Sequence, residues 1–270
     1  MGLRSSQLFL GLLLSFGVAQ AFPSTVDPEA VLSRVRDKVE GHLSQLPNYT
    51  CHEVINRFIQ PVNGSALRQY DQVEFEVAFV EYREVFARPG ETHFQEQPIT
   101  SLVRSGTIGN GAFGSIITSV FLGGVAAFEY VGASDRDGHK TYRFDYRVPQ
   151  EKSRFSVKHN FTEATVPYHG SIWADAETYD LVRIELVADQ TPAAIGVAFI
   201  KERVQYRTLR IRDSQFLLPL QAETDTMDAS GNFSRNDLTL EQCREFTGES
   251  SITFGNTLDV PTVGQGTPPP

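Results

Sequence analysis

Histidines, acidic clusters and two cysteines are the side chains here whose types could do chemistry. The histidines are His42, His52, His93, His139, His159 and His169, and no two stand at the one-turn spacing that sets a zinc ion on a helix face. No serine lies in a G-x-S-x-G elbow, and no glycine-rich loop ends in a phosphate-binding lysine. Asp135-Arg136-Asp137-Gly138 opens like a calcium loop but lacks the third acidic position and the closing glutamate, so it reads as a hairpin turn. Asp175, Glu177 and Asp180 surround a second turn, and Asp225 and Asp228 mark a third. A carboxylate pair serves glycoside hydrolysis only at a set separation across a cleft. A hydrolase using these turns is therefore the remotest reading. The expectation is a non-catalytic protein with no metal and no cofactor.

Cys51 and Cys243 are the only cysteines. Two thiolates alone do not complete a structural zinc site. Both fall in the part expected to be exported, where disulfides persist, and a bond between them is expected. Such a bond closes a very long loop, for which chain-entropy reasoning gives ~5 kcal/mol.

The elements that position these residues begin with a leader. Arg4, the apolar run Leu8 to Val18 and the exit Ala19-Gln20-Ala21 read as a cleaved signal peptide over 1–21. The run is too short for a membrane span, and none is expected in the mature chain. One domain over 22–254 and a disordered Gly/Pro/Thr tail over 255–270 follow. The formal net charge of -9 argues against nucleic-acid binding and against docking on anionic lipid.

Asp27-Pro28 starts an amphipathic helix with Leu32, Val35, Val39, Leu43 and Leu46 on its dry side. From Tyr49 onward the period changes to two. Val73 to Phe79, Tyr142 to Val148 and Val182 to Ala188 alternate apolar with polar. Further strands are expected near 153–159, 168–174, 197–211, 215–227, 232–246 and 250–254, joined by short turns that favour antiparallel hairpins.

One stretch breaks the strand rhythm. Ser105 to Phe128 carries no charge, and within it Phe113, Ile116, Ile117, Val120 and Phe121 recur at helical steps between glycines. A purely structural helix is weakened by each glycine, whereas a helix that swings aside needs hinges. The stripe is read as an ordinary core helix, as a mobile apolar lid with its five residues at the mouth or floor of a cavity, or, last, as a membrane span, against which the six glycines and the exported start weigh.

The hairpin segment with Gly170, Ile172, Asp175, Thr178, Arg183 and Ile184 resembles the "G-x-I-x-x-D-x-x-T-x-x-[LV]-x-R-[IL]" hairpin of exported bacterial proteins of the LolA/LolB/RseB-like, lipoprotein-localisation-factor-like type. The whole also looks like a group of exported proteins common in soil acidobacteria. The resemblance implies an α+β fold: a strongly curved antiparallel β-sheet, an unclosed half-barrel, with helices on the concave face. It implies a periplasmic or extracellular protein that binds an apolar ligand there: a lipid, an acyl chain or a lipoprotein lipid. The two cysteines and the longer C-terminal strands depart from that pattern, and no carrier-specific arginine can be placed. The alternative is a protein–protein sensor or scaffold module whose concave face holds a partner segment.

Overall fold

The computed structural model describes residues 26–80, 83–91, 93–95, 99–103, 105–109, 114–136, 138–159, 162–211, 214–245 and 252–253. The expected leader and tail lie outside them. Helix α1 (Pro28–Gln45) starts as the sequence dictates: the Asp27 carboxylate accepts from the backbone N–H of Glu29 (3.1 Å) and Ala30 (3.4 Å). Its buried stripe is Val31, Val35, Val39 and Leu43, with Leu32 half-buried beside it. Val35, Val39 and Leu43 are thus buried as expected; Val31 takes the place of Leu32, and Leu46 is the C-cap. No helix among the described residues is long and apolar enough to cross a membrane.

Strands carry the rest. β1 (Tyr49–Gln60), β2 (Arg68–Val80), β3 (Arg83–Ala87) and β4 (Phe94–Gln95) precede the seven-residue helix α2 (Ser115–Phe121). β5 (Ala127–Arg136) and β6 (His139–Val148) form a hairpin, and β7 (Ser156–His159) and β8 (Thr162–Thr165) form a separate pair. Then come β9 (Tyr168–Asp175), β10 (Leu181–Ala188), β11 (Val197–Ile211), β12 (Ser214–Asp228), β13 (Phe233–Glu245) and β14 (Ile252–Thr253). Among the described residues, twelve strands make one sheet in the order β14-β4-β3-β2-β1-β13-β12-β11-β10-β9-β6-β5. It is curved and not closed, as expected. Pairing is antiparallel except where β14 runs parallel to β4. The expected strands at 140–149 and 180–190 are β6 and β10, with β9 between them.

The register explains the two faces. Tyr130, Phe144, Ile172, Ile184, Val204, Ala222, Leu238, Ile55 and Val73 are successive partners across nine strands. Alternation puts this apolar row and its in-phase neighbours on the concave face, where both helices pack. The opposite face carries ionic ladders. Asp225 there, buried, takes Arg203 (2.6 Å) and Arg235 (2.7 Å), and Trp173 lies under the guanidinium groups of Arg136, Arg143 and Arg183.

Cys51 and Cys243 are bonded. The β1–β13 register slips between Thr50 and His52, so extra β13 residues oppose Cys51, and Gln242 takes φ 51° there. The bulge brings Cys243 to Cys51 and ties the first strand to the last long one.

Candidate functional site

Beside the apolar row of the concave face runs a second one that changes character halfway. Its partners are Phe128, Tyr146, Gly170, Leu186, then Glu202, Thr224, Asn236, Arg57 and Asp71. The charge-free segment divides accordingly. Its first part, 105–109, lies on the polar half. The Arg57 guanidinium donates to the Ser105 carbonyl (2.7 Å), and the Asn236 amide donates to the Thr107 carbonyl (3.1 Å). Gly106 sits at φ 83°, a backbone conformation that favours glycine, and a Cβ there would lie 2.8 Å from Arg57 Nη1. Arg57 is further held by a bidentate pair with Asp71.

The second part is α2, on the apolar half. Ile116, Ile117, Val120 and Phe121 are all buried, in one cluster with Val35 and Val39 of α1 and with Phe144, Tyr146, Val204 and Tyr206 of the sheet. Phe113, the fifth expected site residue, lies outside the described residues. The stripe thus fills the concavity; it lines neither of the two pockets described below. α2 stands between glycines. Gly114 has no room for a Cβ against the Phe79 ring, and Gly123 and Gly124 follow at φ 83° and 62°. Its start is held by a side chain of the sheet: Glu84 accepts from the N–H of Gly114 (2.9 Å) and Ser115 (3.4 Å).

Around Glu84 lies a group of interior acids. Glu53 shares the concave phase of Tyr49, Cys51 and Ile55, and Glu202 that of Val204 and Tyr206. Glu53 and Glu202 are 3% and 4% exposed. Burial first, and the nearby Glu84 second, push each carboxyl up to about 8. Both are therefore protonated at neutral pH. The same causes push the Tyr49 and Tyr206 hydroxyls up, and Glu202 adds to the effect on Tyr206. The acidic turns considered from sequence do not include these residues. The signal that finds them is a glutamate in the dry phase of an alternating strand.

The turns themselves are engaged locally. Asp175 accepts from the N–H of Glu177 and Thr178, both at 2.9 Å, and Asp228 closes the β12–β13 turn through Ser230 and Asn232. Asp180 faces His42 (3.0 Å) and Lys38 (3.7 Å) of α1, and Arg34 donates to the Tyr179 hydroxyl (2.8 Å). These contacts latch α1 to the β9–β10 hairpin. Two pockets flank the latch. One of about 290 Å³ is lined by Arg34, Asp37, Lys38 and Tyr179. The other, about 400 Å³, runs from Asp180 past Leu181 and Tyr206 to Leu217. No group of His, Cys, Asp and Glu fit to hold a metal ion occurs among the described residues.

No family model matches the chain, and no curated protein matches it. Solved structures resemble it distantly. A domain from Vibrio parahaemolyticus described as an outer membrane lipoprotein-sorting protein is 12% identical, with a TM-score of 0.44 over 81% of this chain and 92% of its own. A DUF1329 family protein from Desulfovibrio piger is 15% identical, with a TM-score of 0.45 over 83% and 96%. Lipoprotein LppX from Mycobacterium tuberculosis is 11% identical, with a TM-score of 0.29 over 82% and 99%. Nothing in these neighbours supports the acidobacterial part of the resemblance. No residue role is carried over from them, and the fold class rests on the strand order itself.

Proposed function

We propose that this chain is a non-catalytic, exported protein of the cell envelope that takes an apolar ligand, a lipid or acyl chain, into the concave face of its sheet. The observation that carries the reading is the way the concavity is filled. A continuous apolar row is covered by a short helix between glycines, seated at its start on one carboxylate. Such a filler is easily exchanged for an alkyl chain, since burial of either draws on the same ~25 cal/mol per Å². The Cys51–Cys243 bond fits an oxidising compartment. Ile116, Ile117, Val120 and Phe121, with Phe113 from sequence alone, are the residues proposed to move off the sheet with α2 and close over the ligand as its lid.

The scaffold reading is favoured by one observation: the chain's own helices already fill the face. Native mass spectrometry of protein purified from an envelope separates the two. Co-purified lipid at about one per chain is the expected result. Protein that is lipid-free, and takes up no alkyl chain when offered one, belongs to the scaffold reading.

A further inference from the structure

The cavity of about 400 Å³ beside the β9–β10 turn is placed by the way two strands part. β10 pairs with β11 only as far as Arg183 and Gln205, whereas β11 runs on to Ile211 with β12 as its partner. Among the described residues no strand takes the other side of β11 from Tyr206 onward. A cavity on one face of a sheet meets every second residue of a strand. This one meets Gln205, Tyr206, Arg207 and Thr208 in succession, so it is a cleft along the freed edge of β11. A bulge stands on each side of it. Val182 is the extra residue where β10 meets β9, Leu220 is the extra residue where β12 meets β11, and both line the cleft. Bulges bend strands and end pairing, and they gather beside functional sites.

The cleft is continuous with the concave apolar cluster. Leu181, Tyr206 and Leu217 line the one and belong to the other, and no residue of α2 lines the cleft. Tyr206 is 7% exposed, and its hydroxyl is buried with no hydrogen-bond partner. Native proteins seldom leave such a group unmet. The acids around the cleft are already engaged. Asp180 faces His42 and Lys38, and Asp175 accepts from the N–H groups of its own turn. A cationic head therefore finds no uncommitted carboxylate. An anionic head meets the like charges of Asp175 and Asp180, against Arg207 alone. Gln205, Thr208 and Gln221 are neutral groups that both donate and accept.

We propose that this cleft is the mouth of the ligand site and takes an uncharged, hydroxyl-bearing ester head of the acylglycerol kind. The hydroxyls meet Gln205, Thr208 and Gln221, and the ester carbonyl accepts from the Tyr206 hydroxyl. The chain passes Leu181 and Leu217 onto the concave row. The proposal rests on the reading of the concave face as a ligand site, and it gives the chain a way in between two strands. The latch of α1 lies at the rim of this mouth, because Asp180 belongs to both.

Monododecanoylglycerol, methyl dodecanoate and dodecanoate share one acyl chain and differ in the head, and displacement of an uncharged fluorescent dye at neutral pH measures each. The glyceride is expected to bind at least about fivefold tighter than the methyl ester, as one or two net hydrogen bonds allow, and dodecanoate more weakly than either. Tyr206→Phe removes an unmet hydroxyl, so it should fold at least as well as the parent while weakening both esters by about threefold or more. Thr208→Ala, at an exposed position, should narrow the gap between glyceride and methyl ester, whereas Glu129→Gln on exposed β5 should leave it unchanged. A glyceride held no tighter than the methyl ester, or ester binding unchanged in folded Tyr206→Phe, overturns the head site and leaves the apolar reading standing. Dodecanoate held tightest overturns it in the same way. Binding of none overturns both.

Discussion

At the scale of single residues, two glutamates on the dry face make stability depend on pH in an uncommon direction. Glu53 and Glu202 are raised by burial and by Glu84 from the usual 4.5 to about 8. Between those values the folded chain holds protons that the unfolded chain releases. Their favourable contribution is therefore fully present below about 4.5 and is lost as pH rises through about 8. The melting temperature should fall by at least ~5 °C from about pH 5 to about pH 9. Glu53→Gln with Glu202→Gln should flatten that slope; a wild-type curve that rises over this range contradicts the placement of both side chains. These residues were legible in part. Glu53 and Glu202 keep step with apolar neighbours on strands whose alternation is plain, so a charge in the dry phase is visible in the sequence. Glu84 was not legible, because its role depends on β3 lying beside the start of α2, which no local pattern reports.

At the scale of elements, both helices and most strands follow from period and capping. α1 begins at the Asp27-Pro28 signal, and α2 occupies the helical steps of the charge-free segment. β5 escaped notice because Ala127 to Arg136 is an edge strand with only weak alternation, and its burial comes from helix contacts on one side. The central question for an element is whether α2 is core or cover, and Val120 decides it. That side chain is 1% exposed. In a fixed core, Val120→Asp buries an unpaired carboxylate and costs several kcal/mol, on the order of the whole stability of a domain. If α2 is a cover, the cost is limited to the free energy of undocking one short helix. We expect the variant to keep a single cooperative unfolding transition and its strand circular-dichroism signal, with the melting point lowered by no more than ~5 °C. Loss of the cooperative transition would make α2 part of the core.

At the scale of the whole molecule, the fold joins the two ends of the chain. β1 lies between β2 and β13, and the Cys51–Cys243 bond, closing 192 residues, locks that junction beneath the concave face. The fold class was readable from the alternation and the short turns. The pairing of β1 with β13 was not, since long-range register is set by packing and by the bulge at Gln242. With the sheet so fixed, what can change is its filling: α1, latched at the rim by Asp180 and Tyr179, and α2, seated on Glu84. In the proposed function an alkyl chain displaces α2 from the sheet. Amide hydrogen exchange over residues 115–121, measured with and without saturating dodecanol, decides whether it does. The alcohol is expected to bind, the amides of α2 to lose protection, and those of β6, β10 and β11 to gain it. Unchanged exchange in α2 at every dodecanol concentration up to the solubility limit would contradict it.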